Sequence, residues 1–347
     1  MSRNIFPSII GNNVIKSYIG NDIKNGNNSH AYIIEGQKGS GKRSVAKQIA
    51  AALACTNKFN EEYNLPCGEC DNCHRIFGDL SGDVVWVTSG DKASIGVEEI
   101  RNIKKGLYVT PNDSDYRTYI IVNAEKMTSQ AQNALLLSLE EPPSFVVFIL
   151  LTEDATKLLE TVRSRAQCIR MEKFSSQKVS DYLLSNYEGK RIYNSFPDKF
   201  SAAVSLSDGS LGRAKEILSA TEETSELLRF RAMTMKLIPL VCTGKVSQMM
   251  KLGLVSEIKN NNDAKILLQI TDNAIRDMIS VKRTDGENLL FYTSKESAFA
   301  ASSEASIKKL FHIHTELLRA IIRLDSNVNM KIVFSDMFIK IAGYKRK

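Results

Sequence analysis

The feature that most constrains this 347-residue chain is a short apolar run, AYIIE at 31 to 35, that opens into GQKGSGKR and then into SVAKQIAAALAC. In the last segment Val45, Ile49, Ala52 and Leu53 recur at helical spacing, so the stretch reads as strand, glycine loop, helix. Gly36-Gln37-Lys38-Gly39-Ser40-Gly41-Lys42 fits G-x-x-x-x-G-K, whose glycines let backbone N–H groups curl round phosphates at the positive end of the helix. Gly36, Gly39, Gly41 and Lys42 are therefore the candidate cofactor-binding residues, with Lys42 directed at the β- and γ-phosphates. The position after the lysine normally carries a Ser or Thr hydroxyl for Mg²⁺, and Arg43 stands there. ATP binding is expected to be weak or absent, with the Arg43 cation in the phosphate space.

Three further runs, DVVWVT at 83 to 88, YIIVNA at 119 to 124 and FVVFILLT at 145 to 152, are short, β-branched or aromatic and largely unalternated, as buried parallel strands are. Between the last two, a helical run from about Ser129 to Glu141 is stopped by Pro142 and Pro143. Alternating strands and helices predict an α/β domain over residues 1 to 170. Beyond Met171 the β-branched runs give way to helical segments such as SELLRFRAMTMKLIPLV and SIKKLFHIHTELLRAIIRLDSN. We read 171 to 220 as a small helical domain and 221 to 347 as a final helical bundle, joined near TEETSE. No run of about 18 apolar residues exists to cross a membrane, and the amino terminus shows no secretory pattern, which predicts a cytoplasmic protein. Forty-six Lys+Arg against 39 Asp+Glu leave a formal charge of +7; this favours a polyanionic partner without showing nucleic-acid binding.

Two motifs bear on chemistry. A hydrolytic phosphate-loop enzyme needs an acid after a neighbouring strand to hold Mg²⁺ and a second to polarise water. Here YIIV is followed by Asn123 and Ala124, and Glu125 comes one residue late, expected to point elsewhere. Cys55, Cys67, Cys70 and Cys73 are spaced Cys-x11-Cys-x2-Cys-x2-Cys, which suits a closed, structural, tetrahedral Zn²⁺ site. His74 would be a redundant fifth ligand, and Cys168 and Cys242 read as buried small hydrophobes.

Taken together, Ile10-Gly11, SHAYIIEGQKGSGK at 29 to 42, the cysteines ending in CGECDNC, NALLLSLEEPP at 133 to 143, Ser164-Arg165 and GSLGRA at 209 to 214 resemble the clamp-loader subunits of bacterial DNA polymerase III, members of the AAA+ superfamily. The resemblance implies an AAA+ phosphate-loop domain with a zinc-binding insertion, then a helical lid and an all-α collar by which subunits form a ring. It also implies partners: gamma/tau and delta subunits and, through the complex, the sliding clamp and primed DNA. The family contains ATP-hydrolysing gamma/tau motors and an ATPase-deficient delta-prime branch. Where the motors carry Thr, Asp-Glu and an Arg after Gly-Ser-x, this chain has Arg43, Asn123-Ala124 and Gly212, with Arg213 one position away. These departures point to the non-hydrolysing branch, with a gamma/tau-type motor as the alternative. The family's Ser-Arg-Cys becomes Ser164-Arg165-Ala166, and its arginine touches ATP held by the neighbouring subunit, so Arg165 is the residue implied to act in catalysis, in trans. Thr152 matches the polar sensor position but, with no water to activate, reads more strongly as a strand-end cap. Arg101, with Lys104 and Lys105 on about one helix face, is the candidate DNA contact, binding phosphate without reading sequence.

Overall fold

The computed structural model describes residues 3–344 except 91, 222–224, 252–256, 285–288 and 327. The chain divides into two compact units, Met1–Lys173 and Phe174–Lys347.

The first unit is a five-stranded sheet with helices on both faces. Its strands are β1 (Ala31–Glu35), β2 (Val84–Val87), β3 (Arg117–Val122), β4 (Val146–Thr152) and β5 (Gln167–Arg170), in spatial order β2-β3-β4-β1-β5. Every pairing is parallel. Parallel strands covered on both sides must be apolar throughout, and β4, VVFILLT, is buried at all seven positions. Side chains alternate between faces. Ile34, Ile120 and Ile149 pack with helices α1 (Asn13–Lys24) and α2 (Lys42–Ala54) through Ile15, Ile19, Val45 and Ile49. On the other face Ile33, Ile121 and Leu150 pack with α4 (Val97–Gly106) and α5 (Ser129–Glu140) through Ile100, Ile103, Leu135 and Leu139. The short helix α3 (Asp71–Phe77) lies between α2 and β2 in the chain, and α6 (Glu160–Arg163) between β4 and β5.

Two details differ from expectation. The run read as YIIVNA leaves the sheet at Val122: Asn123 adopts a left-handed conformation, φ 55°, and Ala124–Lys126 form a 3₁₀ turn. Strand β5 carries no long β-branched run and sits at the sheet edge, where Gln167 to Arg170 alternate in burial. One consequence is that Cys168 is exposed, because it lies on the outward side of an edge strand, whereas Cys242 is buried as expected.

The second unit is helical. Helices α7 (Ser176–Ser185), α8 (Tyr187–Ser195), α9 (Pro197–Leu206) and α10 (Leu211–Ser219) come first. They are followed by α11 (Glu226–Thr243), α12 (Val246–Lys251), α13 (Asn261–Arg283), α14 (Lys295–Ala301), α15 (Ile307–Asp325) and α16 (Met330–Ala342). One continuous group of buried side chains, from Phe174 to Ile341, holds them together. In α11 the helix runs past Pro239, at the cost of one backbone hydrogen bond. Among the described residues no helix is long and apolar enough to cross a membrane.

Candidate functional site

Ligands in open parallel sheets settle beyond the carboxyl ends of the strands, where the strand order switches. Here β1 runs up between β4 and β5, and the glycine loop follows its last residue. Each loop glycine has a reason. A Cβ on Gly36 would lie 2.7 Å from Ser40 Oγ and 2.8 Å from Met171 Cβ, while Gly39 and Gly41 take φ of 76° and 94°, where side chains are strained. The cradle is built, but its cation is turned inward. The Lys42 ammonium donates to the Gly36 carbonyl and, at 3.0 Å, to the Gln37 carbonyl. Burial pushes its pKa below the ordinary lysine value, against the pull of the Glu153 and Glu125 carboxylates.

This corrects two expectations. Arg43 is exposed rather than folded into the phosphate space, because it occupies the second position of α2 on the side away from the sheet, and Lys42 takes the inner side. Glu125 does not point away. The left-handed Asn123 and the 3₁₀ turn swing it back over the strand ends, where the Glu153 N–H reaches its carboxylate at 3.4 Å. Thr152 is buried and its hydroxyl is occupied at the strand end. It donates to the Asp154 carbonyl at 3.0 Å, and the Asp154 N–H lies 3.2 Å from the same oxygen.

Cys55, Cys67, Cys70 and Cys73 come together with all four sulfurs within 4.8 Å of one another. Four sulfurs about 2.3 Å from a tetrahedral Zn²⁺ lie about 3.8 Å apart, and Cys67 Sγ is 3.9 Å from Cys73 Sγ. Backbone N–H groups of Glu69 and Cys70 point at Cys67 Sγ, each at 3.4 Å, and that of Cys67 points at Cys55 Sγ at 3.5 Å. Donors aimed at sulfur favour thiolate over thiol, the state a metal requires. The hydrogen bond with Cys73 lowers the Cys55 pKa, while the same bond raises that of Cys73 and burial raises that of Cys67. The residues fit a closed four-thiolate ion, which would tie the end of α2, capped by Cys55, to the start of α3.

Arg165 follows α6. Its Nη1 donates to the Thr161 carbonyl at 3.0 Å and lies 3.4 Å from Ser164 Oγ, while Nη2 is 2.6 Å from Glu140 Oε1 at the end of α5. The side chain keeps 35% of its surface exposed. Sequence reasoning missed Glu140 as its partner. Arg101 is 65% exposed on α4 and pairs with Glu98 of its own helix at 3.2 Å; Lys105 is exposed and Lys104 half-buried. Arg101, Arg165, the loop and the cysteines are thus four separate features of one unit.

The sheet order and the glycine loop at the end of β1 define a parallel α/β phosphate-loop fold, here with a four-cysteine cluster and a helical second half. Residues 11–175 match the family described as DNA polymerase III, delta subunit, and the chain is similar to DNA polymerase III gamma and tau subunits. It is 31% identical over 222 residues to the DNA polymerase III subunit gamma of Buchnera aphidicola subsp. Schizaphis graminum, covering 64% of this chain and 59% of the relative. The tau subunit of Bacillus subtilis is 29% identical over 317 residues, 86% of this chain and 54% of its own. This chain therefore spans little more than half the length of these relatives. Among solved structures, a gamma subunit-related protein from Thermotoga maritima matches at a TM-score of 0.41 and 17% identity, over 95% of this chain and 99% of that one. A likeness that loose carries no weight here beside the sheet order itself.

Proposed function

We propose that this protein is the delta-prime stator of a DNA polymerase III clamp loader: it does not hydrolyse ATP itself but supplies Arg165 to ATP held by an adjoining gamma/tau motor. On this reading residues 171–220 form the lid and 221–347 the collar that joins the ring. A structural Zn²⁺ sits on the four cysteines, Arg101 follows the phosphates of primed DNA, and the work is done in the cytoplasm. The observation that carries the proposal is the phosphate loop. Its backbone is built as for phosphate, yet Arg43 replaces the Mg²⁺ hydroxyl and Asn123-Ala124 replace the acids that hold the metal and polarise water. A stator can dispense with those groups, and a motor cannot.

A gamma/tau-type motor is the second reading. It is favoured by the kinship with gamma and tau subunits and by Glu125 and Glu153, whose charges act on Lys42. Steady-state ATP hydrolysis by the purified chain, with and without primed DNA, separates the two. The stator reading expects no turnover above background; turnover that Lys42→Ala abolishes would establish the motor.

A further inference from the structure

We propose that Glu140 is a positioning residue for Arg165, an assignment that rests on the stator reading above. Helix α5 holds the α6 turn at both ends. Near its start Gln132, buried, accepts the Leu159 N–H at 2.7 Å just before α6, and its own amide donates to the Met127 carbonyl at 3.3 Å. At its last residue Glu140 takes the Arg165 guanidinium just after α6. The other bonds of that guanidinium, to Thr161 and Ser164, come from the turn it belongs to and would move with it. Among the described residues, Glu140 alone ties the guanidinium to a different element.

The geometry leaves a donor for a ligand. A guanidinium has five N–H groups in one plane. Nη1 donates to Thr161 and Ser164 and Nη2 forms an ion pair with Glu140, while Nε–H has no partner among the described residues and stays available to an approaching phosphate. Two anchors from different elements fix the plane, so less freedom remains to be lost when phosphate oxygens arrive. Glu140 gains from the pair as well. A carboxylate at a helix C-terminus meets the negative end of the dipole, and Glu141 follows it directly, so the arginine offsets two unfavourable neighbours. A latch would make the opposite prediction: a carboxylate that only neutralised Arg165 would hold the partner's hydrolysis down, and its removal would speed it.

The test uses the clamp-loader complex reconstituted from this chain and its gamma/tau and delta partners, carrying wild type, Glu140→Ala, Glu140→Gln, Arg165→Ala or the double variant. The readout is kcat and KM for DNA- and clamp-stimulated ATP hydrolysis. With a half-exposed pair at stake, Glu140→Ala should lower kcat about threefold with KM unchanged. Gln, which keeps an acceptor oxygen at the same reach, should fall between wild type and Ala. In the Arg165→Ala background, Glu140→Ala should add nothing. Equal losses in both backgrounds would mean that Glu140 merely supports the end of α5, and a kcat at or above wild type for the Ala or Gln chain would mean a latch or no role; each overturns the assignment. Since Gln is isosteric, its result stands even if the Ala chain proves poorly folded. Arg165→Ala complexes at full rate would overturn the finger itself, and the positioning role with it, whereas a slow Arg165→Ala with a normal Glu140→Ala and Glu140→Gln overturns only the latter.

Discussion

Lys42 and Arg165 are two cations of one unit, and the structure treats them oppositely. Lys42 is buried and hydrogen-bonded to carbonyls of its own loop, beside a strand that ends without its acids. Arg165 is anchored on one side and open on the other. A loop can keep the glycines that shape it after losing the groups that do chemistry, because the glycines also answer to packing: Gly36 is required by Ser40 and Met171 whether or not phosphate binds. Arg165, half-exposed, is instead held by a carboxylate on a neighbouring helix. On the proposed reading, the outward cation is the functional one.

The most damaging way to break the contrast is to remove that cation. Arg165→Ala in the reconstituted complex should leave assembly intact and lower stimulated ATP hydrolysis by the adjoining motor by a factor of about 10² or more, since arginine fingers contribute roughly 10³ to 10⁵. Clamp loading should slow in parallel. Arg165→Lys should rescue poorly, because an ammonium cannot reproduce the planar donor edge. Steady-state turnover and a loading assay check both.

The next largest effect concerns the cysteines, and it sharpens the comparison by acting on the far end of the helix that Lys42 begins. Protein purified without chelator should contain one Zn²⁺ per chain by elemental analysis. Chelation or Cys70→Ser should lower folding stability by several kcal/mol, read as a fall in the thermal unfolding midpoint, and leave the partners' intrinsic nucleotide affinity unchanged.

A smaller effect is expected at the loop. Equilibrium titration should give weak or no Mg-ATP binding by the isolated chain, and a submicromolar dissociation constant would overturn this. Restoring the hydroxyl by Arg43→Thr should not create hydrolysis, because Asn123 and Ala124 still stand where the acids belong. Smallest of all, Arg101→Ala should weaken DNA binding by the complex uniformly across sequences and reduce its salt slope by about one unit; Glu98 already neutralises part of that charge.

What the sequence shows plainly is what is encoded over short spans. The glycine loop, the buried runs of β3 and β4 and the cysteine spacing are each local, and each forms where the residues predict. The rest depends on chain direction or on distance along the chain. Glu125 could be assigned a heading only by knowing that Asn123 turns left-handed, a conformation that asparagine tolerates but does not announce. Strand β5 is four residues with two exposed, too short and too polar to stand out, and Cys168 went with it. The Glu140–Arg165 pair joins residues at the ends of two helices separated by a whole strand, and no local pattern encodes that meeting.

The cysteine cluster and the phosphate loop occupy opposite ends of α2, whose 13 residues at about 1.5 Å each make a rod of roughly 20 Å. At that separation an ion on the cysteines would share no ligand or contact with the loop. The cluster can therefore serve as an optical tag. Cobalt placed on four thiolates colours the protein, and its visible bands would report whether the end of α2 and the start of α3 are still joined. The loop could be mutated or filled at will while that colour records the integrity of the scaffold in the same cuvette.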